Sequence, residues 1–201
     1  MNHYEQVLQS FEPRLLETKP QPYFHPDQTL VTEEIRFHIR RRRSVSERRV
    51  AMRGEILREQ DHEILHAYID VFIPDDVDFG SPELQGIIND RVIEFARRAA
   101  LGHLIPLAKE LAGKIRRKPL LWDISTAKRQ LGCCTSEGVI RLSCRLMFLP
   151  VHLREYVIYH ELAHLSEMNH SPRFHQLCNE YCGGRERELE RELKSFKFPV
   201  F

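Results

Sequence analysis

Apolar and polar positions alternate through much of residues 31–74. In ILHAYIDVFIP, Leu65, Ala67, Ile69, Val71 and Ile73 fall on one side of an extended chain, and IRFHIR brings Ile35, Phe37 and Ile39 together in the same way. Successive side chains of a strand point to opposite faces, so a period of two predicts strands with one buried face. VAMRGEIL is a weaker third example, and the stretch reads as three antiparallel strands. Residues 1–30 show no sustained period and carry the proline-studded run PRLLETKPQPYFHP. That composition predicts an extended arm laid over the surface, with room for a short helix before Pro13.

The period changes over 82–113, where Leu84, Ile87, Ile88, Val92, Phe95 and Ala99 recur at steps of three and four. This is the buried stripe of a helix, opened by Ser81-Pro82 and expected to break at Gly102 or Pro106. LLWDIS (120–125) and GVIRLS (138–143) read as short strands, joined through the turn-rich link GCCTSEG. Beyond Pro150 the pattern is helical: 151–168, 171–182 and a charged stretch over 185–196. In the last, Leu189, Leu193 and Phe196 form a narrow apolar stripe among paired charges, which suits surface decoration or a docking helix. The order of elements predicts an α+β protein: an extended arm over 1–30, then one domain over 31–201.

Composition narrows the classes. With 42% apolar and 29% charged residues and a formal net charge of +1, the chain has no general attraction for nucleic acid or membrane. No apolar run approaches the ~20 residues of a membrane span, and the first residues lack the order of a secretory signal. The five cysteines, Cys133, Cys134, Cys144, Cys178 and Cys182, are odd in number and include an adjacent pair. They argue against a disulfide framework and for a reducing cytoplasm. Cys178 and Cys182 lie one helical turn apart, three and seven residues after His175. Two buried thiols on a helix face are preferred there to a second metal site.

One local basic cluster remains: Arg40–Arg43, with Arg48, Arg49 and Arg53. On a strand these side chains alternate between faces, which favours a solvated surface. The alternative is an anion site for nucleic acid or a nucleotide phosphate.

The densest chemistry is YHELAHLSEMNH, Tyr159–His170. His160 and His164 are one turn apart on a helix, so both imidazoles can bind one Zn²⁺. Glu161, next to the first ligand, reaches beside the metal, where a carboxylate can take a proton from the attacking water. The apolar VIY before and LA between predict a buried helix, and a buried polar stripe needs a reason. A catalytic zinc site wants a third protein ligand. His170 fills that part if the helix ends between His164 and His170, with Asn169 taking the terminating left-handed conformation and Ser171-Pro172 opening the next helix. Glu167 competes for the role if the helix continues; otherwise it is a partner that fixes an imidazole.

YVIYHELAHLSEMNHSPRFHQL resembles the zinc motif of the YgjP-like metallopeptidase family, relatives of the SprT-like and WLM proteins. Upstream, RQLGCCTSEGVIRLSCRLMFLP is similar to the family's R-W-G-S-C segment, strand and L-x-x-L-P turn, so the likeness covers 120–182 well. Arg129, Gly132, Cys134, Ile140, Leu142, Arg145, Leu146 and Pro150 sit where the pattern has the same or a similar residue. Leu131 stands for its tryptophan, Cys133 for its serine and Ser143 for its asparagine. The resemblance implies a zincin-like core over 120–182, following the β region and long helix, with a C-terminal helix or tail over 185–201. It supports a metal site more strongly than it supports proteolysis.

The expectation is a cytoplasmic hydrolase with one Zn²⁺ per chain on His160, His164 and His170, and Glu161 as general base and then acid. An extended peptide would pair with the strand GVIRLS, with Arg141 and Arg145 as contacts for substrate or developing charge. The alternatives are a nucleotide phosphohydrolase using the Arg40–Arg43 region, and a non-enzymatic, metal-stabilised nucleic-acid-binding module.

Overall fold

A computed structural model describes residues 24–43, 51–58, 64–75 and 77–200. The proline-rich arm before Phe24 and the arginines Arg48 and Arg49 lie outside them. By compactness the described chain divides into a unit ending at Ala99 and a unit running from Ala100 to Phe198.

The first unit holds a four-stranded sheet: β1 (Gln28–Val31), β2 (Ile35–Arg43), β3 (Ala51–Arg58) and β4 (Leu65–Ile73), in the order β1-β2-β4-β3. The alternation produces the faces it predicts. Ile35, Phe37, Ile39, Ala67, Ile69 and Val71 are fully buried, while Arg36 is exposed and His38, Tyr68 and Asp70 are half-buried. The pairing differs from three antiparallel strands. β4 inserts between β2 and β3, parallel to β2 and antiparallel to β3, and β1 adds a fourth strand antiparallel to β2. Alternation records which face a residue occupies and says nothing of which strand lies beside it.

The arginine run behaves as a strand. Asp70 accepts both Arg40 (Nε 2.7 Å, Nη2 2.7 Å) and Arg42 (Nε 3.0 Å), and Arg40 lies 4.5 Å over the Tyr68 ring. Arg43 pairs with Asp75 at 2.9 Å. Three of the four charges therefore have carboxylate partners.

α1 runs Pro82–Lys114 without a break, through Gly102 and Pro106. The expected interruption is absent because burial on both sides of Pro106 outweighs the ~3 kcal/mol an interior proline costs: Leu104, Ala108, Leu111 and Ala112 are all buried. The unit boundary falls inside this helix. Gln85 near its start is buried and fully used, accepting from Phe24 N–H (2.8 Å) and donating to the Phe24 and Phe79 carbonyls (3.0 and 2.9 Å). At β3, Gly54 leaves the space that the Phe95 ring occupies; an added Cβ would stand 2.4 Å from its Cζ.

The second unit carries β5 (Leu121–Ser125), β6 (Gly132–Cys134) and β7 (Val139–Ser143), in the order β5-β7-β6, with β5 parallel and β6 antiparallel to β7. A 3₁₀ turn over Cys144–Phe148 leads to α2 (Val151–His164), α3 (Pro172–Tyr181) and α4 (Glu186–Ser195). The link GCCTSEG is thus partly a strand, β6.

Candidate metal centre

α2 owes its burial to the apolar residues that flank its polar ones. Leu153, Val157, Ile158, Leu162 and Ala163 are at most 1% exposed, and they carry His160, Glu161 and His164 inward with them. Arg154 shares Glu161's face two turns earlier and is itself buried. Its guanidinium donates to the Leu146 carbonyl through Nε (3.1 Å) and the Leu149 carbonyl through Nη2 (3.0 Å), which ties α2 to the 3₁₀ turn before it. Nothing in the sequence distinguished this arginine from a surface one.

The helix ends at His164, earlier than the sequence suggested. Asn169 is not in the left-handed region; among the described non-glycine residues only Asp27 and Arg116 are. Termination comes instead from a tight turn in which Ser166 and Glu167 N–H both bond the Ala163 carbonyl, at 3.0 and 3.1 Å. Ser171 then caps α3, its Oγ accepting from Phe174 N–H at 3.2 Å with Pro172 at the first helical position, as its sequence predicts.

This turn brings His170 back to the helix. Nitrogens of His160, His164 and His170 lie within 4.8 Å of one another, the one such group able to hold a metal ion among the described residues. His160 Nε2 and His170 Nε2 are 3.1 Å apart, close to the roughly 3.3 Å that tetrahedral zinc–imidazole bonds impose. His164 Nδ1 meets the Glu167 carbonyl at 3.0 Å. With its proton there, Nε2 keeps the lone pair a metal needs. Burial holds the His164 pKa below its ordinary value, which also favours the neutral ligand form. The donor set is nitrogen-only and convergent, and it fits zinc.

Phe174 forms the floor. It is fully buried, with its ring centroid 4.8, 4.5 and 4.6 Å from those of His160, His164 and His170. Glu167 is outside the nitrogen group. It serves the site through its backbone carbonyl, and its carboxylate accepts from Ser171 Oγ at 3.4 Å.

Glu161 is 1% exposed and lies against β6, where the Gly132 Cα faces its Cγ and carboxylate. It pushes up the pKa of both neighbouring thiols, although burial is the larger cause; Cys134 rises to about 11. Both cysteines are therefore protonated near neutrality and are not activated nucleophiles.

The two arginines fare differently. Arg141 pairs in register with Cys133 and its Nε lies 3.4 Å from Asp123 Oδ2. Side chains alternate along β6 and β7, so Arg141 is on the opposite sheet face from Gly132 and Leu142, and from Glu161. Arg145 is buried under the 126–131 loop, where Nη1 donates to the Lys128 carbonyl at 3.3 Å while Nε and Nη2 have no partner. Burial lowers its pKa.

β7 is the middle strand, so both its edges are taken and no peptide can pair with GVIRLS. The edge beside Glu161 belongs to β6. Ser143 N–H bonds the Leu131 carbonyl and Thr135 N–H the Val139 carbonyl. The alternation of an antiparallel pair then turns the N–H and C=O of Gly132 and Cys134 away from β7. His175, Cys178 and Cys182 form no metal group; His175 Nδ1 meets Glu186 Oε1 at 2.8 Å, and Cys178 is buried with its pKa raised through its contact with Cys182. No described helix is long and apolar enough to cross a membrane.

No curated protein and no solved structure matches the chain. Residues 76–196 match the family model described as YgjP-like, metallopeptidase domain, a span that takes in α1, β5 to β7, the three imidazoles and Glu161. The match covers more than half of the sequence, and the chain belongs to the YgjP-like metallopeptidase domain family.

Proposed function

We propose that the protein is a zinc-dependent metallopeptidase holding one zinc per chain on His160, His164 and His170. The observation that carries this reading is the convergence of three imidazoles, two of them on the helix that also carries the buried carboxylate of Glu161. Burying a carboxylate costs free energy, and a divalent ion at the imidazoles would offset part of that cost.

Bound zinc supplies a Lewis acid and lowers the pKa of water. Glu161 takes the proton of the attacking water and passes it to the leaving amine, as a general base and then a general acid. The outward N–H and C=O of Gly132 and Cys134 hold an extended peptide by strand addition, and the backbone contact favours no particular sequence. Imidazole orientation depends on the Glu167 carbonyl at His164 and on the Phe174 floor. The peptide reading is preferred to a nucleotide or nucleic-acid ligand because Asp70 and Asp75 already take up Arg40, Arg42 and Arg43.

The test compares wild type with Glu161→Gln on panels of peptides and nucleoside triphosphates, with zinc content measured in both. Peptide hydrolysis by wild type alone, at equal zinc content, is expected. Hydrolysis of triphosphates without any peptide turnover would replace the peptidase reading with a phosphohydrolase.

A further inference from the structure

Gly132 is a buried residue in a strand, and its φ is not positive. Its backbone therefore makes no demand for glycine, which weakens a strand through entropy and lost contacts. The demand comes from space. A Cβ at this position would stand 2.7 Å from both Cγ and Oε1 of Glu161 and 2.8 Å from its Cδ, far inside the ~3.5–4.0 Å of ordinary carbon contact. Stem and carboxylate both lie flat on the bare Cα. Glu161 has little room to withdraw, since it is 1% exposed and its neighbours Leu162 and Ala163 are fully buried.

We propose that Gly132 is a positioning residue for Glu161: the missing side chain on the β6 edge fixes where the carboxylate sits beside the imidazoles. This rests on the reading of Glu161 as the proton carrier. The same short strand would then seat the base and present the peptide, because the outward N–H and C=O of Gly132 belong to the residue that Glu161 touches. A methyl group here would push the carboxylate aside, since the three atoms nearest to it all belong to Glu161.

The experiment is a thermal-unfolding cycle on the full chain without metal: wild type, Gly132→Ala, Glu161→Ala and the double variant. Gly132→Ala should lower Tm in the wild-type background. In the Glu161→Ala background it should leave Tm unchanged or raise it, since the collision is gone and alanine suits a strand better. Equal losses in both backgrounds overturn the proposal. If Gly132→Ala does not fold, a folded double variant supports the proposal and an unfolded one overturns it. Zinc affinity of Gly132→Ala, by chelator competition, should stay within a few-fold of wild type; a loss like that of a ligand variant would overturn it. On a cleaved peptide, kcat should fall on the order of 100-fold with KM little changed. Glu161→Asp, one methylene shorter, should restore part of that loss in the Gly132→Ala background while costing activity alone. Absence of peptide turnover by wild type would defeat the peptidase reading, and the unfolding cycle would still decide the role of Gly132.

Discussion

In the first sheet, Gly54 of β3 leaves room for the ring of Phe95; in the second, Gly132 of β6 leaves room for the side chain of Glu161. Both strands are sheet edges and both are antiparallel to a central strand. In each case a helix side chain presses onto a bare Cα. The occupant makes the difference. Phe95 is an apolar ring, and its burial stabilises the unit by removing surface from water. Glu161 is a carboxylate whose burial costs free energy unless a cation or proton compensates. Identical steric devices thus seat an apolar ring in one unit and a carboxylate in the other, and only the polarity of the guest separates the two.

The comparison breaks most sharply at the imidazoles. His164→Ala and His170→Ala should each lower zinc affinity by orders of magnitude, measured by chelator competition, while the protein stays soluble. Glu167→Gln should change it by less than about tenfold, below the usual range for an outer partner, because Glu167 holds His164 through its backbone carbonyl. Zinc retained by His164→Ala would leave the second unit with no more chemistry than the first.

Next in size is Arg154, a buried charge that is structural. Arg154→Met should destabilise the protein by about 3–6 kcal/mol in urea unfolding, since two carbonyls lose charged donors worth about 1.5–3 kcal/mol each. Refolded variant should still bind zinc. Loss of zinc at unchanged stability would move Arg154 from scaffold to site.

How much of this was legible depends on range. His160 and His164 were legible because a helix alone sets their spacing. His170 was legible as a candidate ligand that needs a chain reversal, but the reversal at Leu165–Glu167 was not. It relies on bonds to the Ala163 carbonyl and on His164 meeting Glu167, with no glycine to announce it. Ile69 and Val71 declared their buried face, whereas the insertion of β4 between β2 and β3 depends on long-range pairing that alternation does not encode. Gly132 looked like part of a turn because three strand residues are too few to show a period. Its neighbour Glu161 is 29 positions away by number, and only the fold brings them together.

A smaller effect sharpens the steric half of the comparison. Gly54→Ala should cost about 1–3 kcal/mol, the usual scale of overpacking, with zinc affinity unchanged. A stability loss that vanished in a Phe95→Ala background would confirm that the ring sets the cost. A change in zinc affinity would instead link Gly54 to the metal site.

The smallest effect reads the electrostatic half, through Cys134. It follows Gly132 by two residues, on the same face of β6, and Glu161 is the second cause of its raised pKa after burial. A pKa of about 11 against the ordinary 9.0 leaves roughly a hundredfold less thiolate at pH 8. In metal-free protein, alkylation of Cys134 followed by peptide mass spectrometry should accordingly be slow at pH 8 and accelerate as the pH approaches 11. Glu161→Gln removes the negative charge and leaves the burial, so the pKa should fall part of the way and alkylation at pH 8 should quicken by a few-fold. The sign is fixed: a nearby carboxylate disfavours the thiolate, and removing it favours the reactive form. Zinc added to wild type should act in the same direction, because a cation at the imidazoles offsets Glu161. An alkylation rate indifferent to both Glu161→Gln and zinc would mean that the Glu161 charge does not reach β6, and that its contact with that strand is steric alone.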